Sequence, residues 1–171
     1  MPPLFQKHLY AFLPYQDPDI KKAIFEIKYR KNIILAELFA KVIHARLNPL
    51  NSNPHQYILL PIPASKNRMR TYGYNQTLLV ARCLEKIDPI HFKISTALIY
   101  NNQRSGQKHK NRTERLESSE TIFSIKNQSE ISGKHVIVLD DIITTGATCL
   151  DALRAVHGAG ATHALAIALV H

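Results

Sequence analysis

The sequence predicts an α/β domain, in which a mainly parallel, Rossmann-like sheet is flanked by helices and preceded by a small helical cap. From residue 57 onward, short apolar runs alternate with amphipathic stretches, which is the chain order of parallel sheets. Residues 18–47 instead show only helical periodicity, so we assign residues 1–50 to the cap and residues 57–171 to the α/β core. A chain of 171 residues fits one domain spanning residues 1–171.

Two helices are predicted in the cap. Asp17 and Pro18 are typical of a helix start, because aspartate caps free N–H groups and proline suits the first turn. The apolar residues that follow recur at helical spacing, at Ile20, Ala23, Ile24 and Ile27. This spacing predicts a helix over residues 18–30, and a similar stripe predicts a second helix over residues 33–47.

Four strands and two helices are predicted in the core. The apolar runs that predict strands span residues 57–63, 92–100, 135–141 and 163–171. The helical patterns span residues 75–87 and 147–161, and the second of them ends in glycines. Residues 101–113, NNQRSGQKHKNRT, are polar and basic without apolar periodicity, so we predict an exposed loop there.

Composition limits the kinds of partner and compartment. The formal net charge is +9, from 22 Lys and Arg against 13 Asp and Glu. This balance favours polyanionic partners such as nucleotides, diphosphates or nucleic acid, although many small proteins are basic without one. There is no apolar run of about 18 residues or more and no signal peptide pattern, which predicts no membrane insertion. Cys83 and Cys149 lie within apolar helical patterns, so we predict core residues in a reducing, cytoplasmic protein.

The segment VIVLDDIITTGAT, residues 136–148, is the strongest functional pattern. Its predicted strand brings Asp140 and Asp141 to the carboxyl edge of the sheet, where ligands bind in such folds. A glycine-containing turn into a helix offers N–H groups to a phosphate. Two carboxylates would repel that phosphate, so we expect them to accept hydrogen bonds from hydroxyls of the same ligand, or to face its Mg²⁺. A phosphorylated sugar carries both kinds of group, whereas a threonine-rich helix cap alone does not explain the whole pattern.

This segment closely resembles the 5-phosphoribosyl-1-diphosphate (PRPP) signature of type I phosphoribosyltransferases. The resemblance implies the type I phosphoribosyltransferase fold. It also implies that Asp140 and Asp141 hold the ribose hydroxyls and act as the catalytic carboxylates. It also implies that Mg²⁺ arrives with PRPP rather than on protein ligands. The PRPP-binding residues implied are Asp140, Asp141, Ile142, Ile143, Thr144, Thr145, Gly146, Ala147 and Thr148.

A second segment, PIPASKNRMRTYGYNQ at residues 61–76, follows the first predicted core strand. In the superfamily a loop in this place binds the pyrophosphate of PRPP, which makes Ala64, Ser65 and Lys66 candidates by position. Arg68 and Arg70 have the charge to neutralise a diphosphate. The alternative is a polar connection whose basic side chains are simply solvated.

With its neighbours, this segment resembles the ComF family of competence-associated proteins, in which a P-x-P … R-x-x-G-[FY]-N-Q pattern recurs. The stretch ending in Lys28, Tyr29 and Arg30 is similar to the corresponding family region. The family's Gln and Arg occur here as Gln107 and Arg115. Many ComF proteins begin with a four-cysteine zinc ribbon, and the printed sequence has no cysteine before position 83, so we expect no zinc.

The basic stretch around residues 101–115 has three interpretations. Five basic side chains against Glu114 give it a local net charge of +4. It is a lid over the diphosphate, a surface for single-stranded DNA with Tyr72, Tyr74 or Tyr100 as stacking candidates, or a solvated loop. The flexible-loop candidates are Arg104, Gln107, Lys108, Lys110 and Arg115.

Two functions remain open from the sequence. The first is a PRPP-binding, ComF-like protein of DNA uptake and natural transformation, which handles single-stranded DNA together with a competence helicase or recombination protein. The second is a metabolic phosphoribosyltransferase that acts on a small, orotate-like base. Purine-salvage relatives commonly carry a carboxylate where this chain has Thr144, which disfavours purine chemistry. Whether PRPP is a substrate or a signal is left open.

Overall fold

The computed structural model describes residues 8–47, 56–101 and 121–171. Its strands are β1 (Leu9–Leu13), β2 (Tyr57–Pro61), β3 (Phe92–Ile94), β4 (Leu98–Tyr100), β5 (Phe123–Ile125), β6 (His135–Ile142) and β7 (His163–Val170). Its α-helices are α1 (Pro18–Arg30), α2 (Ile33–Leu47), α3 (Lys66–Tyr72), α4 (Gln76–Ile87) and α5 (Ala147–Gly158). None of the helices in these ranges is long and apolar enough to cross a membrane.

Five strands form one parallel sheet in the order β1-β7-β6-β2-β3. The central strand β6 pairs with β2 on one side, where Pro61 lies opposite Leu139, and with β7 on the other, where Ala168 lies opposite Asp140. All carboxyl ends therefore meet at one edge of the sheet, and the segments that follow β2 and β6 are neighbours. The predicted α/β fold with a mainly parallel sheet is confirmed.

The alternation of side chains along β6 divides the core between the two faces of the sheet. Ile137 and Leu139 belong to a hydrophobic cluster that contains residues of α1, α2 and α4. Val136 and Val138 belong to a second cluster, with residues of α5 and of the antiparallel β4–β5 pair. Successive residues at the end of β6 consequently face different helices.

The structure adds an N-terminal strand that the sequence does not predict. β1 pairs in parallel with β7 at the sheet edge, with Leu9 opposite Ala166. Five partly exposed residues give no clear strand pattern, and the pairing depends on a segment more than 150 residues away. Helices α1 and α2 pack directly on the sheet, because Ile24, Ile27 and Phe39 share the main core cluster with Leu59.

Two further elements differ from the sequence predictions. Residues 92–100 form two strands in different sheets, because Ser95 interrupts the run and its hydroxyl bonds Glu130. Residues 66–72, predicted as part of a loop, form α3. Ser65 caps this helix by accepting the Arg68 N–H at 3.3 Å, and Gly73 ends it with a positive φ of 73°. Since no residue of α3 is buried, the sequence carries no apolar signal for it.

Candidate functional site

The carboxyl end of β6 places two adjacent acidic side chains at the centre of the site. Asp140 is 9% exposed and Asp141 is 7% exposed, although carboxylates are seldom buried unless they are paired. Because neighbouring residues of a strand point to opposite faces, Asp141 faces the α1 and α4 side and Asp140 faces the α5 side.

Asp141 is neutralised by donors from three helices. Its Oδ2 atom lies 2.9 Å from the Lys28 Nζ of α1 and accepts a hydrogen bond from the Gln76 Nε2 of α4, also at 2.9 Å. Arg68 of α3 lies farther away, with its Nη1 atom 3.9 Å from the same oxygen. This carboxylate therefore joins the end of β6 to the three helices.

Lys28 and Gln76 reach Asp141 because of where their helices place them. Lys28 is four residues after the buried Ile24 and directly after the buried Ile27, so it continues the inner stripe of α1. Gln76 is the first residue of α4 and is itself buried. A lysine and a glutamine at core positions need polar partners, and the Asp141 carboxylate serves both.

The GYNQ sequence fixes the approach of these helices. The Tyr74 hydroxyl accepts the Lys31 N–H at 2.9 Å and donates to the Ile27 carbonyl, which ties the segment to the end of α1. Asn75 caps α4 by accepting the Thr77 N–H at 3.0 Å, and its amide donates to the Ile62 carbonyl beyond β2. The motif thus holds α1, α4 and the β2 connection together around Gln76.

Asp140 lies in a different environment. Its Oδ1 accepts the Asp141 main-chain N–H at 2.8 Å, and its Oδ2 accepts a weak hydrogen bond from the Cys149 thiol at 3.7 Å. Burial, and to a lesser extent the neighbouring Asp141 charge, raise the pKa of Asp140 to about 7. Burial and the Asp140 charge also hold the pKa of the Cys149 thiol well above its usual value, so this thiol stays protonated.

The turn after β6 leads into the N-terminus of α5. Thr144, Thr145 and Thr148 are exposed there, and the Thr145 hydroxyl accepts the Ala147 N–H at 3.4 Å. Gly146 precedes the helix with a positive φ of 73°, a conformation that glycine adopts without strain. Exposed hydroxyls and N–H groups at a helix start suit a phosphate, so this turn fits the predicted role of residues 142–148.

The candidates for pyrophosphate binding lie beside this turn. Ala64 and Ser65 follow β2, whose end pairs with β6, whereas Lys66 and Arg70 are exposed on α3. Among the sequence-predicted bases, Arg68 approaches the aspartates most closely through its contact with Asp141. The structure thus brings the two predicted segments to one edge of the sheet.

The arrangement also bears on Mg²⁺. The two carboxylates face opposite sides of the sheet, and Asp141 Oδ2 already has two donors at 2.9 Å. No group of three or more His, Cys, Asp or Glu side chains suited to a metal occurs in residues 8–47, 56–101 and 121–171. This geometry fits a Mg²⁺ that takes most of its ligands from a diphosphate and water. Both expectations, Mg²⁺ with PRPP and no zinc, remain predictions.

Five of the predicted site residues lie outside the described residues, and two residues that contact Asp141 were not predicted. The five flexible-loop candidates, Arg104, Gln107, Lys108, Lys110 and Arg115, lie outside the described residues. Sequence reasoning gave no role to Lys28 or Gln76, although both belong to the segments that resemble the ComF family. The signal for Lys28 was its position on the apolar stripe of α1, where a charge requires a buried partner.

Comparison with known proteins identifies the family. The family model for the phosphoribosyl transferase domain matches residues 80–171, which include β6 and the turn that follows it. The chain belongs to the phosphoribosyl transferase domain family. A solved structure described as the allosteric regulatory enzyme of purine biosynthesis has the same fold, with a TM-score of 0.50 at 16% identity over 84% of this chain and 30% of its own.

Two relatives place this phosphoribosyl transferase domain within the ComF family, as the sequence motifs predicted. The competence protein ComFC of Bacillus subtilis (strain 168) is 35% identical over 135 residues, which are 79% of this chain. The competence protein ComFC of Streptococcus pneumoniae (strain ATCC BAA-255 / R6) is 30% identical over 145 residues, which are 84% of this chain. The chain spans 52% and 59% of the lengths of these relatives.

Proposed function

We propose that this protein binds PRPP together with Mg²⁺ at the carboxyl edge of the sheet and acts in DNA uptake during natural transformation. The observation that carries the proposal is the juxtaposition, at the end of β6, of two buried aspartates and an exposed threonine turn into α5. One feature suits sugar hydroxyls and the other suits a phosphate. Both relatives are named competence proteins, which supports the role in DNA uptake.

Each part of PRPP has a proposed partner. Asp140 and Asp141 accept hydrogen bonds from the ribose hydroxyls, and residues 144–148 surround the 5′-phosphate. The β2 connection and α3 take the pyrophosphate, through Ala64, Ser65, Lys66, Arg68 and Arg70. Mg²⁺ would supply charge neutralisation for that pyrophosphate. Asp140 gains most from the ligand, because a hydroxyl donor would stabilise the charged form of a carboxyl whose pKa is about 7.

The first experiment is a calorimetric titration of the protein with PRPP, in the presence of Mg²⁺, at pH 8. Asp140→Asn is expected to weaken binding by about 10- to 100-fold, because it replaces a charged acceptor with a neutral amide. Asp151→Asn is the matched control, since Asp151 pairs with Arg154 on α5 and is expected to leave PRPP affinity unchanged. Equal affinities of Asp140→Asn and the wild type would refute the site.

A second measurement separates a transferase from a PRPP-binding protein. Protein saturated with PRPP and Mg²⁺ is mixed with pooled nucleobases, including orotate, and pyrophosphate release is followed. Release that disappears in Asp140→Asn indicates phosphoribosyl transfer, and subdividing the pool identifies the acceptor. Saturated protein without release indicates that PRPP acts as a ligand. The proposed handling of single-stranded DNA is tested separately, by oligonucleotide binding.

A further inference from the structure

A groove of about 680 Å³ lies beside the Lys28–Asp141 ion pair, and of its lining residues only Ile142 is among those assigned to PRPP. The described residues that line it include four aromatic rings and three lysines, and none of them is acidic. Those used below are Lys21, Phe25, Lys28, Tyr29 and Tyr72. Sequence reasoning named Tyr72 as a stacking candidate but gave the other aromatic residues no role. The groove therefore combines aromatic surface with positive charge at one end of the sheet.

The groove is formed mainly by α1. Lys21, Phe25, Lys28 and Tyr29 recur at spacings of four, three and one residues, so they share the face that leads from solvent towards β6. Phe25 is 49% exposed and Tyr29 is 40% exposed, and contiguous exposed rings of this kind are typical of an interaction site. The rings form a continuous surface, with centroids 4.6 Å apart for Phe25–Tyr29 and 5.0 Å apart for Tyr29–Tyr72.

This chemistry suits a strand of nucleic acid better than a small free base. A site that selects one base needs an enclosed pocket with polar groups converging on the base edge. Here the rings are exposed, and the polar groups are lysine ammonium groups and tyrosine hydroxyls. Aromatic surfaces stack on any base, and lysines neutralise a phosphate backbone, which is how single strands are bound without sequence preference.

Lys28 belongs both to this groove and to the PRPP site. Its ammonium group contacts Asp141 Oδ2 at 2.9 Å, and its side chain also lines the groove. That oxygen also accepts from Gln76, so a ribose hydroxyl that bonds it competes with both donors. Gln76 is buried at the start of α4, whereas Lys28 has a long stem that borders the open groove. Of the two donors, Lys28 is therefore the one that can turn away into solvent.

We propose that this groove binds single-stranded nucleic acid and that Lys28 couples the groove to the PRPP site, so that PRPP strengthens binding of the strand. The inference rests on the proposed PRPP site and adds to it a partner and a form of regulation. When the ribose occupies Asp141, the ammonium group of Lys28 turns to the groove and contacts a phosphate of the strand. By linkage, the strand must strengthen PRPP binding by the same factor.

The test measures anisotropy of a fluorescein-labelled oligodeoxythymidine of about 16 nucleotides, a length within the range that such surfaces cover. Saturating PRPP with Mg²⁺ is expected to lower its Kd by about fivefold, and saturating oligonucleotide is expected to lower the Kd of PRPP by the same factor. Mg²⁺ alone is the reference condition. No change, or weaker binding with PRPP present, overturns the coupling.

Two variants test where the oligonucleotide binds and which residue couples its binding to that of PRPP. Phe25→Ala combined with Tyr29→Ala is expected to weaken oligonucleotide binding at least about tenfold, because stacking is lost, while the Kd of PRPP alone stays unchanged. Ile90→Ala is the control, since this exposed residue does not line the groove. Lys28→Met is expected to abolish the effect of PRPP on the strand. Retained oligonucleotide affinity in the aromatic double variant overturns the placement.

The outcomes distinguish this inference from the proposed function. PRPP binding in the calorimeter without any effect on the oligonucleotide overturns the coupling and leaves the PRPP site in place. Oligonucleotide binding without PRPP binding refutes the proposed function and the coupling together. If Lys28→Met does not fold, Lys28→Gln, which keeps a donor beside Asp141, takes its place and is expected to lose the effect of PRPP on the oligonucleotide. An effect of PRPP that persists in Lys28→Gln overturns the role of Lys28.

Discussion

The two aspartates at the end of β6 are neighbours in the chain, but they lie in contrasting electrostatic environments. Asp141 faces α1 and α4, where a lysine and a glutamine donate to one of its oxygens at 2.9 Å each. Asp140 faces α5, where it accepts a main-chain N–H at 2.8 Å and a thiol at 3.7 Å. The first carboxylate has a cation beside it, and the second has neutral donors.

This difference determines how the cost of burying each carboxyl group is offset. A buried carboxylate is stable when a cation and hydrogen bonds replace its lost hydration, as Lys28 and Gln76 do for Asp141. Without a cation, burial favours the protonated form, and the pKa of Asp140 rises to about 7. Asp141 therefore organises three helices, whereas Asp140 is the carboxyl group that a ligand's donors would stabilise most.

Removing the cation beside Asp141 is expected to have the largest effect on stability. Lys28→Met keeps the apolar stem but leaves a buried carboxylate with one good donor, which we expect to cost about 3 kcal/mol in the free energy of unfolding at pH 7. Urea denaturation measures it. Lys86→Met is the matched control, because Lys86 contacts Glu37 at 3.8 Å on the exposed surface and should change stability by less than about 1 kcal/mol. Equal losses in the two variants would remove the distinction drawn for Asp141.

Removing the charge of Asp140 is expected to have a smaller effect of opposite sign. Because its pKa rises from an ordinary value of 3.8 to about 7 on folding, the folded state binds more protons between these values, and wild-type stability falls as the pH rises through them. Asp140→Asn avoids this loss. This pKa shift corresponds to about 4 kcal/mol at pH 8. Burial of the asparagine NH2 group beside the Cys149 thiol is expected to offset about half of it, which leaves a gain of about 2 kcal/mol at pH 8 and no gain near pH 4.

Thermal and urea unfolding at several pH values check this second prediction. Asp151→Asn serves as the control on the same face of the sheet, because its carboxylate pairs with Arg154 at 3.0 Å near the surface. A gain in Asp140→Asn that does not depend on pH would contradict the electrostatic explanation. A loss of stability at pH 8 would show that the Asp140 charge is well compensated in the folded protein.

Elements that carry their own apolar pattern were predicted from the sequence, whereas elements without one were not. Strands β2, β6 and β7, and helices α1, α2, α4 and α5, have apolar patterns long enough to be recognised within their own segments. The edge strand β1 and the division of residues 92–100 depend on pairing with distant segments. Helix α3 depends on the Ser65 cap and the Gly73 end, since it has no apolar face.

At the site, motif recognition indicated the two aspartates and the threonine turn, but not the environment that distinguishes the aspartates. Lys28, more than 100 residues earlier in the chain, reaches Asp141 only because α1 packs on one face of the sheet. Single-sequence reasoning assigns alternating faces to Asp140 and Asp141 but cannot identify the helix on each face. The positions of the pyrophosphate candidates relative to Asp141 likewise depend on the pairing of β2 with β6.

The smallest of the expected effects concerns the second donor to Asp141. Gln76→Leu keeps the volume of the buried side chain but removes the 2.9 Å hydrogen bond to the carboxylate, which we expect to cost about 1.5 kcal/mol in urea denaturation. Gln56→Leu is the matched control, because Gln56 donates to a neutral carbonyl at an exposed position and should cost less than about 0.5 kcal/mol. A loss in Gln76→Leu as large as that in Lys28→Met would mean that the buried amide stabilises Asp141 as much as the cation does. The contrast between the two aspartates would then be one of hydrogen bonding as much as of charge.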